Sequence, residues 1–115
     1  MTMAEVQKHL EAKILCGEEH LEETVRSACG ADMMSDVLAF VKEQSVLLTG
    51  LVNPQVMRTA EMMDMRCIVF VRGKEPTPPM LQIAERHGMT VMSTPLRMYM
   101  ACGRLYAAGL KAEDA

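Results

Sequence analysis

The chain has 115 residues, half of them apolar, with 12 basic against 15 acidic side chains and a net charge of −3. That length supports one domain around a single core, and the charge balance argues against a nucleic-acid partner, which would need a basic face to displace counterions. No apolar run approaches the ~18 residues of a membrane span, and the charged start MTMAEVQKHLEAK does not read as a secretory signal, so a cytoplasmic location is the expectation.

With two Phe, two Tyr and no Trp, the core has to be aliphatic, and thirteen Met are available to fill its gaps. Met is flexible and polarizable, so the same residues also suit an adaptable binding or dimer surface. The four cysteines Cys16, Cys29, Cys67 and Cys102 form no CxxC pair, and none of His9, His20 and His87 stands at ligand spacing from a cysteine. Zinc-ribbon, iron–sulfur and thioredoxin-like chemistry therefore lack their motifs. Apolar contexts such as KILCG and RCIVF predict buried free thiols.

In chain order, Val6 and Leu10 at helical spacing predict a helix over 3–11. Ala12 to Cys16 reads as a short strand ended by Gly17, and GEEHLEE as a charged, solvated turn. Thr24 to Cys29 reads as a second strand, pairing with the first as a hairpin-like edge. Gly30 and Asp32 break it. A helix follows from Met33 to Lys42, with Met34, Val37, Leu38 and Val41 as its apolar stripe.

From Ser45 onward one grammar repeats three times. Strand Val46–Thr49 leads through Gly50 to a helix with Asn53 as N-cap and Pro54 at its first position. Strand Cys67–Val71 leads through RGKEP to a helix with Thr77 as N-cap and Pro78 next. Strand Thr90–Met92 leads to a helix with Thr94 as N-cap and Pro95 next. A capping side chain satisfies an orphan N–H, and proline at the next position has none to lose. The apolar faces are read as Val56, Met57, Ala60 and Met63; as Met80, Leu81, Ala84 and His87, the last turned inward; and as Leu96, Met100, Gly103 and Ala107.

Continuous apolar strands about 22 residues apart, each followed by a helix, predict a mainly parallel sheet covered on both faces. The expected fold is α/β, a three-layer α/β/α domain with a central sheet of four to five strands. It is one domain over 1–115, with a helix/strand/helix part over 1–44 and three strand–helix units over 45–110.

Open parallel sheets bind ligands outside the carboxyl ends of their strands. Here those ends read Thr49-Gly50, Arg72-Gly73 and Ser93-Thr94, and each is expected to feed a helix N-terminus that favours an anion. With the caps Asn53 and Thr77, these residues make the candidate site, and Arg72 is the candidate anion partner. A catalytic set is missing. Gly73-Lys74 is followed by Glu75-Pro76 rather than the rest of a P-loop, no GxSxG elbow occurs, and Glu75 is the one acid in those turns.

The segment LLTGLVNPQVM through CIVFVRGKEPTPPMLQIAERHGMTVMSTPLRMYMACGRL resembles the DRTGG domain family, and the upstream order of helix, KILCGEE and helix extends the likeness over nearly the whole chain. The resemblance implies the fold of the N-terminal domain of HPr kinase/phosphorylase, without the kinase domain. It also implies a non-catalytic regulatory or ligand-sensing module, of a kind often joined to CBS pairs. Where the family has Asp-Arg after the first Thr-Gly, this chain has Leu51-Val52; where it has Thr-Gly-Gly, this chain has Val71-Arg72-Gly73. The resulting expectation is a homodimeric regulatory domain with no cofactor that binds a small anionic ligand at the strand ends, with Met98, Tyr99 and Met100 as the dimer patch. A cysteine-based redox or metal-linked accessory protein, and an enzyme acting on a phosphorylated or acyl substrate, are the alternatives.

Overall fold

The apolar runs VLL, CIVF and TVM become the middle of one five-stranded sheet in the computed structural model, which describes residues 1–40 and 44–112. The elements are α1 (Met3–Leu10), β1 (Lys13–Cys16), β2 (Ser27–Gly30), α2 (Met34–Phe40), β3 (Ser45–Thr49), α3 (Pro54–Met62), β4 (Cys67–Phe70), α4 (Pro78–Arg86), β5 (Thr90–Ser93) and α5 (Met98–Ala107). A 3-10 turn at Glu18–His20 lies between β1 and β2. The strand order is β1-β5-β4-β3-β2, with β2 to β5 parallel and β1 antiparallel to β5.

Alternating side chains feed two cores, as the period of two along a strand requires. Val46, Leu48, Cys67, Val69 and Met92 point to the layer of α1 and α5, where Met3, Val6, Leu10, Ala101 and Leu105 meet them. Leu47, Ile68, Phe70 and Val91 point to the layer of α2, α3 and α4, against Met34, Val37, Val56, Met57, Ala60, Met80 and Ala84. This is the expected three-layer α/β/α arrangement. Three successive crossovers between neighbouring parallel strands share one face because each keeps the same hand. Seven of the thirteen methionines are buried, so Met serves chiefly as aliphatic filling here.

Several local expectations are corrected. β1 and β2 do not form a hairpin: they lie at opposite edges of the sheet. The helix between β2 and β3 is itself a crossover, which demands that β2 lie parallel to β3, and the buried hydroxyls of Ser27 and Ser45 hydrogen-bond across that pair. Residues 17–26 instead run beneath the start of α1, where the Met3 N–H donates to the Glu23 carbonyl at 2.9 Å. The stripe of α2 holds at Met34 and Val37, but Leu38 is exposed. Val41 and Lys42 lie outside the described residues.

α5 starts later than its sequence suggests. Its N-cap is Arg97, whereas Thr94 donates its hydroxyl to the Leu10 carbonyl at 2.6 Å and accepts from the Leu96 N–H at 3.2 Å. Moving the start turns the helix, so Ala101 and Leu105 are buried while Met100, Gly103 and Ala107 face outward. His87 is exposed too and pairs with Glu61 at 3.2 Å, bracing the end of α4 on α3. Of the four free thiols only Cys67 is fully buried; Cys16, Cys29 and Cys102 are half-buried.

Candidate functional site

Two turns at the carboxyl ends of the strands converge on Gly50. Behind it, Asp32 follows β2 and accepts the Gly50 N–H on Oδ1 at 2.7 Å and the Thr49 hydroxyl at 3.1 Å. The Thr49 oxygen in turn accepts the Leu51 N–H at 3.1 Å. In front of Gly50 lies the guanidinium of Arg72, so close that a Cβ at position 50 would come within 2.5 Å of Nη2. Gly50 therefore leaves room for a side chain, not for an unusual backbone angle.

Arg72 itself has a left-handed backbone, φ 60°. Such a conformation costs a residue with a Cβ about 1–2 kcal/mol, and outliers of this kind gather at functional sites. Its N–H donates to the Leu96 carbonyl at 2.8 Å. Its guanidinium makes no hydrogen bond or ion pair with any described residue. Asn53 caps α3 as the sequence predicts, accepting the Gln55 N–H at 2.8 Å. Thr77 holds the cap position of α4 without a side-chain hydrogen bond.

The β5 side of the predicted site is architecture. Connections leave β4 and β5 for opposite faces of the sheet, which is where a ligand crevice is expected. The chain closes that gap on itself: the Thr94 N–H donates to the Phe70 carbonyl at 2.9 Å, and the Gly73 N–H to the Thr94 carbonyl at 2.8 Å. The Ser93 hydroxyl donates to the Lys74 carbonyl at 2.7 Å. The structure thus brings Thr49, Gly50 and Arg72 together and spends Ser93 and Thr94 on packing. Gly73 meets no neighbouring atom with its open face.

Two residues that sequence reasoning passed over belong to this edge. In the sequence Asp32 reads only as a breaker of the strand before it, although an acid just past a strand end is a signal in its own right. Lys13 arrives because antiparallel β1 sets it opposite Ser93, and it pairs with Glu75 at 3.3 Å. The turns leaving the strands, with Lys13, carry the cations Lys13, Arg72, Lys74 and Arg97 against the acids Asp32 and Glu75. A positive edge on a chain of net charge −3 favours an anion. Open grooves of about 460 Å³ at Thr24–Arg26 with Ala108–Leu110 and about 370 Å³ at Leu15–Glu19 with Glu85 include none of the predicted site residues.

The family model of the DRTGG domain matches residues 5–108. The chain belongs to the DRTGG domain family. A solved structure similar to it is the crystal structure of the CBS and DRTGG domains of the regulatory region of Clostridium perfringens pyrophosphatase, complexed with the activator diadenosine tetraphosphate. The TM-score is 0.72 at 16% identity, covering 90% of this chain and 45% of that one. The chain thus spans less than half the length of that neighbour, and the likeness at this identity is one of fold. No match emerged among curated proteins. In this DRTGG domain Leu51 and Val52 are partly buried against the core of α2, α3 and α4. An acid and an arginine nevertheless flank Gly50, one from the end of β2 and one from the end of β4.

Proposed function

We propose that this DRTGG domain is a non-catalytic regulatory module that senses a small anionic ligand at the carboxyl edge of its sheet. The observation that carries the reading is Arg72: a left-handed backbone holds its guanidinium, unpaired among the described residues, over the Gly50 turn. The positive balance of the edge supports it. The structural neighbour is a regulatory region that binds a nucleotide polyphosphate, and such an anion suits a guanidinium. The non-catalytic part rests on how the hydroxyls and imidazoles are committed: Asp32, the acid that accepts from Thr49, also holds the Gly50 N–H and serves the turn. Thr49, Ser93 and Thr94 are each bonded within the chain, while His20 pairs with Glu23 at 2.6 Å and His87 with Glu61.

A thermal-shift screen against inorganic phosphate, AMP, ATP and diadenosine tetraphosphate tests this. A bound probe at a hundred times its Kd stabilises the fold by about 2.7 kcal/mol, and Arg72→Ala is expected to remove most of that shift. A shift that Arg72→Ala leaves intact, or the absence of any shift, overturns the reading.

A homodimer through the start of α5 is favoured by Tyr99 and Met100, which are 87% and 50% exposed side by side. Analytical ultracentrifugation at micromolar concentration is expected to give a dimer that Tyr99→Glu dissociates. A wild-type monomer rejects the dimer and leaves the sensing reading untouched.

A further inference from the structure

The Gly50 turn holds charge of both signs that the fold leaves uncancelled. Asp32 commits only Oδ1 to the fold. Its Oδ2 accepts no hydrogen bond from any described residue, and the side chain is exposed. Arg72 lies against the same glycine with its guanidinium unpaired among the described residues. The two do not form an ion pair: Asp32 is bound to the Gly50 N–H, and the Arg72 guanidinium rests where a Cβ at that glycine would be.

Building on the anion-sensing reading, we propose that Asp32 sets the specificity of this site, which takes a hydroxyl-bearing phosphate ester, with its phosphoryl group on Arg72 and its sugar hydroxyls donated to Asp32 Oδ2. An ionised carboxylate is acceptor-only. It repels a bare anion held on the neighbouring arginine, yet makes a short charge-assisted bond to a hydroxyl. A bare phosphate gains from Arg72 and loses to Asp32, whereas a sugar phosphate gains from both. A site built to bind a hydroxyl also rejects the analogue that lacks it. Dinucleotide-binding sheets likewise engage a ribose through an acid at a strand end beside a glycine turn, although there the acid follows the glycines in the chain.

Isothermal titration of the full chain tests the proposal with AMP, ribose 5-phosphate, 2′,3′-dideoxyadenosine monophosphate and inorganic phosphate. The wild-type chain is expected to bind AMP roughly tenfold or more tightly than the dideoxy compound. A comparable preference for ribose 5-phosphate over inorganic phosphate would identify sugar phosphates in general; binding of AMP without ribose 5-phosphate would identify nucleotides. Asp32→Asn keeps an oxygen for Gly50 and Thr49 but puts an NH2 donor in place of Oδ2. It is expected to abolish the preference for AMP over the dideoxy compound and to tighten inorganic phosphate. The comparison of ligands on the wild-type chain stands whether or not the variant folds. Equal binding of AMP and its dideoxy analogue, both lost in Arg72→Ala, overturns the role of Asp32 and leaves the anion reading standing. Failure of every probe to bind overturns both.

Discussion

Phe70→Ala is expected to destabilise the domain by about 3–5 kcal/mol. Phe70 is the one fully buried aromatic side chain among the described residues. It closes the central strand β4 on the face covered by α2, α3 and α4, and the aliphatic and thioether side chains around it have no larger neighbour to move into the space. Truncation there removes apolar burial and leaves a cavity. Against a typical total of roughly 5–15 kcal/mol, that is a large share, and the thermal midpoint should fall by on the order of 15 °C. Urea unfolding checks it: the midpoint should drop with an unchanged slope. A loss under about 1 kcal/mol would mean that the two cores are not divided by the sheet as described.

Above pH 9 the domain is expected to lose stability through Cys67. Burial among apolar side chains on the α1/α5 face pushes its thiol up to about 12 from an ordinary value of 9.0. Between those values the unfolded chain has released the proton and the folded chain has kept it. The stabilisation is therefore complete below pH 9 and is lost as pH rises from 9 towards 12, by about 1.4 kcal/mol per unit. Urea unfolding of wild type and Cys67→Ala at pH 8 and pH 10.5 isolates the effect. The wild type should lose roughly 2 kcal/mol more than the variant across that interval. Parallel losses would show that solvent reaches the thiol. The same burial sets Cys67 apart from the half-buried Cys16, Cys29 and Cys102, whose thiols are also raised, chiefly by desolvation. Raised thiols are poor nucleophiles, which weighs against a redox role for any of the four.

The candidate site was half legible. Thr49, Gly50 and Arg72 follow from a general rule about strand ends, and Arg72 is the one arginine in the turn after β4. Asp32 was hidden because it precedes Gly50 by eighteen positions and meets it only through the pairing of β2 with β3. Lys13 was hidden because nothing in KILC tells which strand it joins, or in which direction. Ser93 and Thr94 looked like ligand donors because their hydroxyls sit at a strand end. Whether such a hydroxyl is free depends on which carbonyl approaches it, and Lys74 and Leu10 are distant in sequence.

By itself the sequence determined the three central strands, the α3 cap at Asn53 and the layer count, since each rests on local patterning: apolar runs, proline at the first helical position, spacing of about 22 residues; the family came through the resemblance of its segments to the DRTGG domain. It also carried the parallel direction of β3, β4 and β5, because short strand–helix–strand units return to the sheet that way; their order came from the structure. Tertiary structure alone decided what depends on two distant segments meeting. It set β1 antiparallel against β5 rather than against β2. It took Thr94 from the cap of α5 to the end of α1 and so rotated that helix by its start point. It also brought an arginine and an aspartate to one glycine without an ion pair between them. Local propensity fixes where a helix or strand can form. Which side chains share a surface is fixed by packing of the sheet, and there the chemistry of this domain resides.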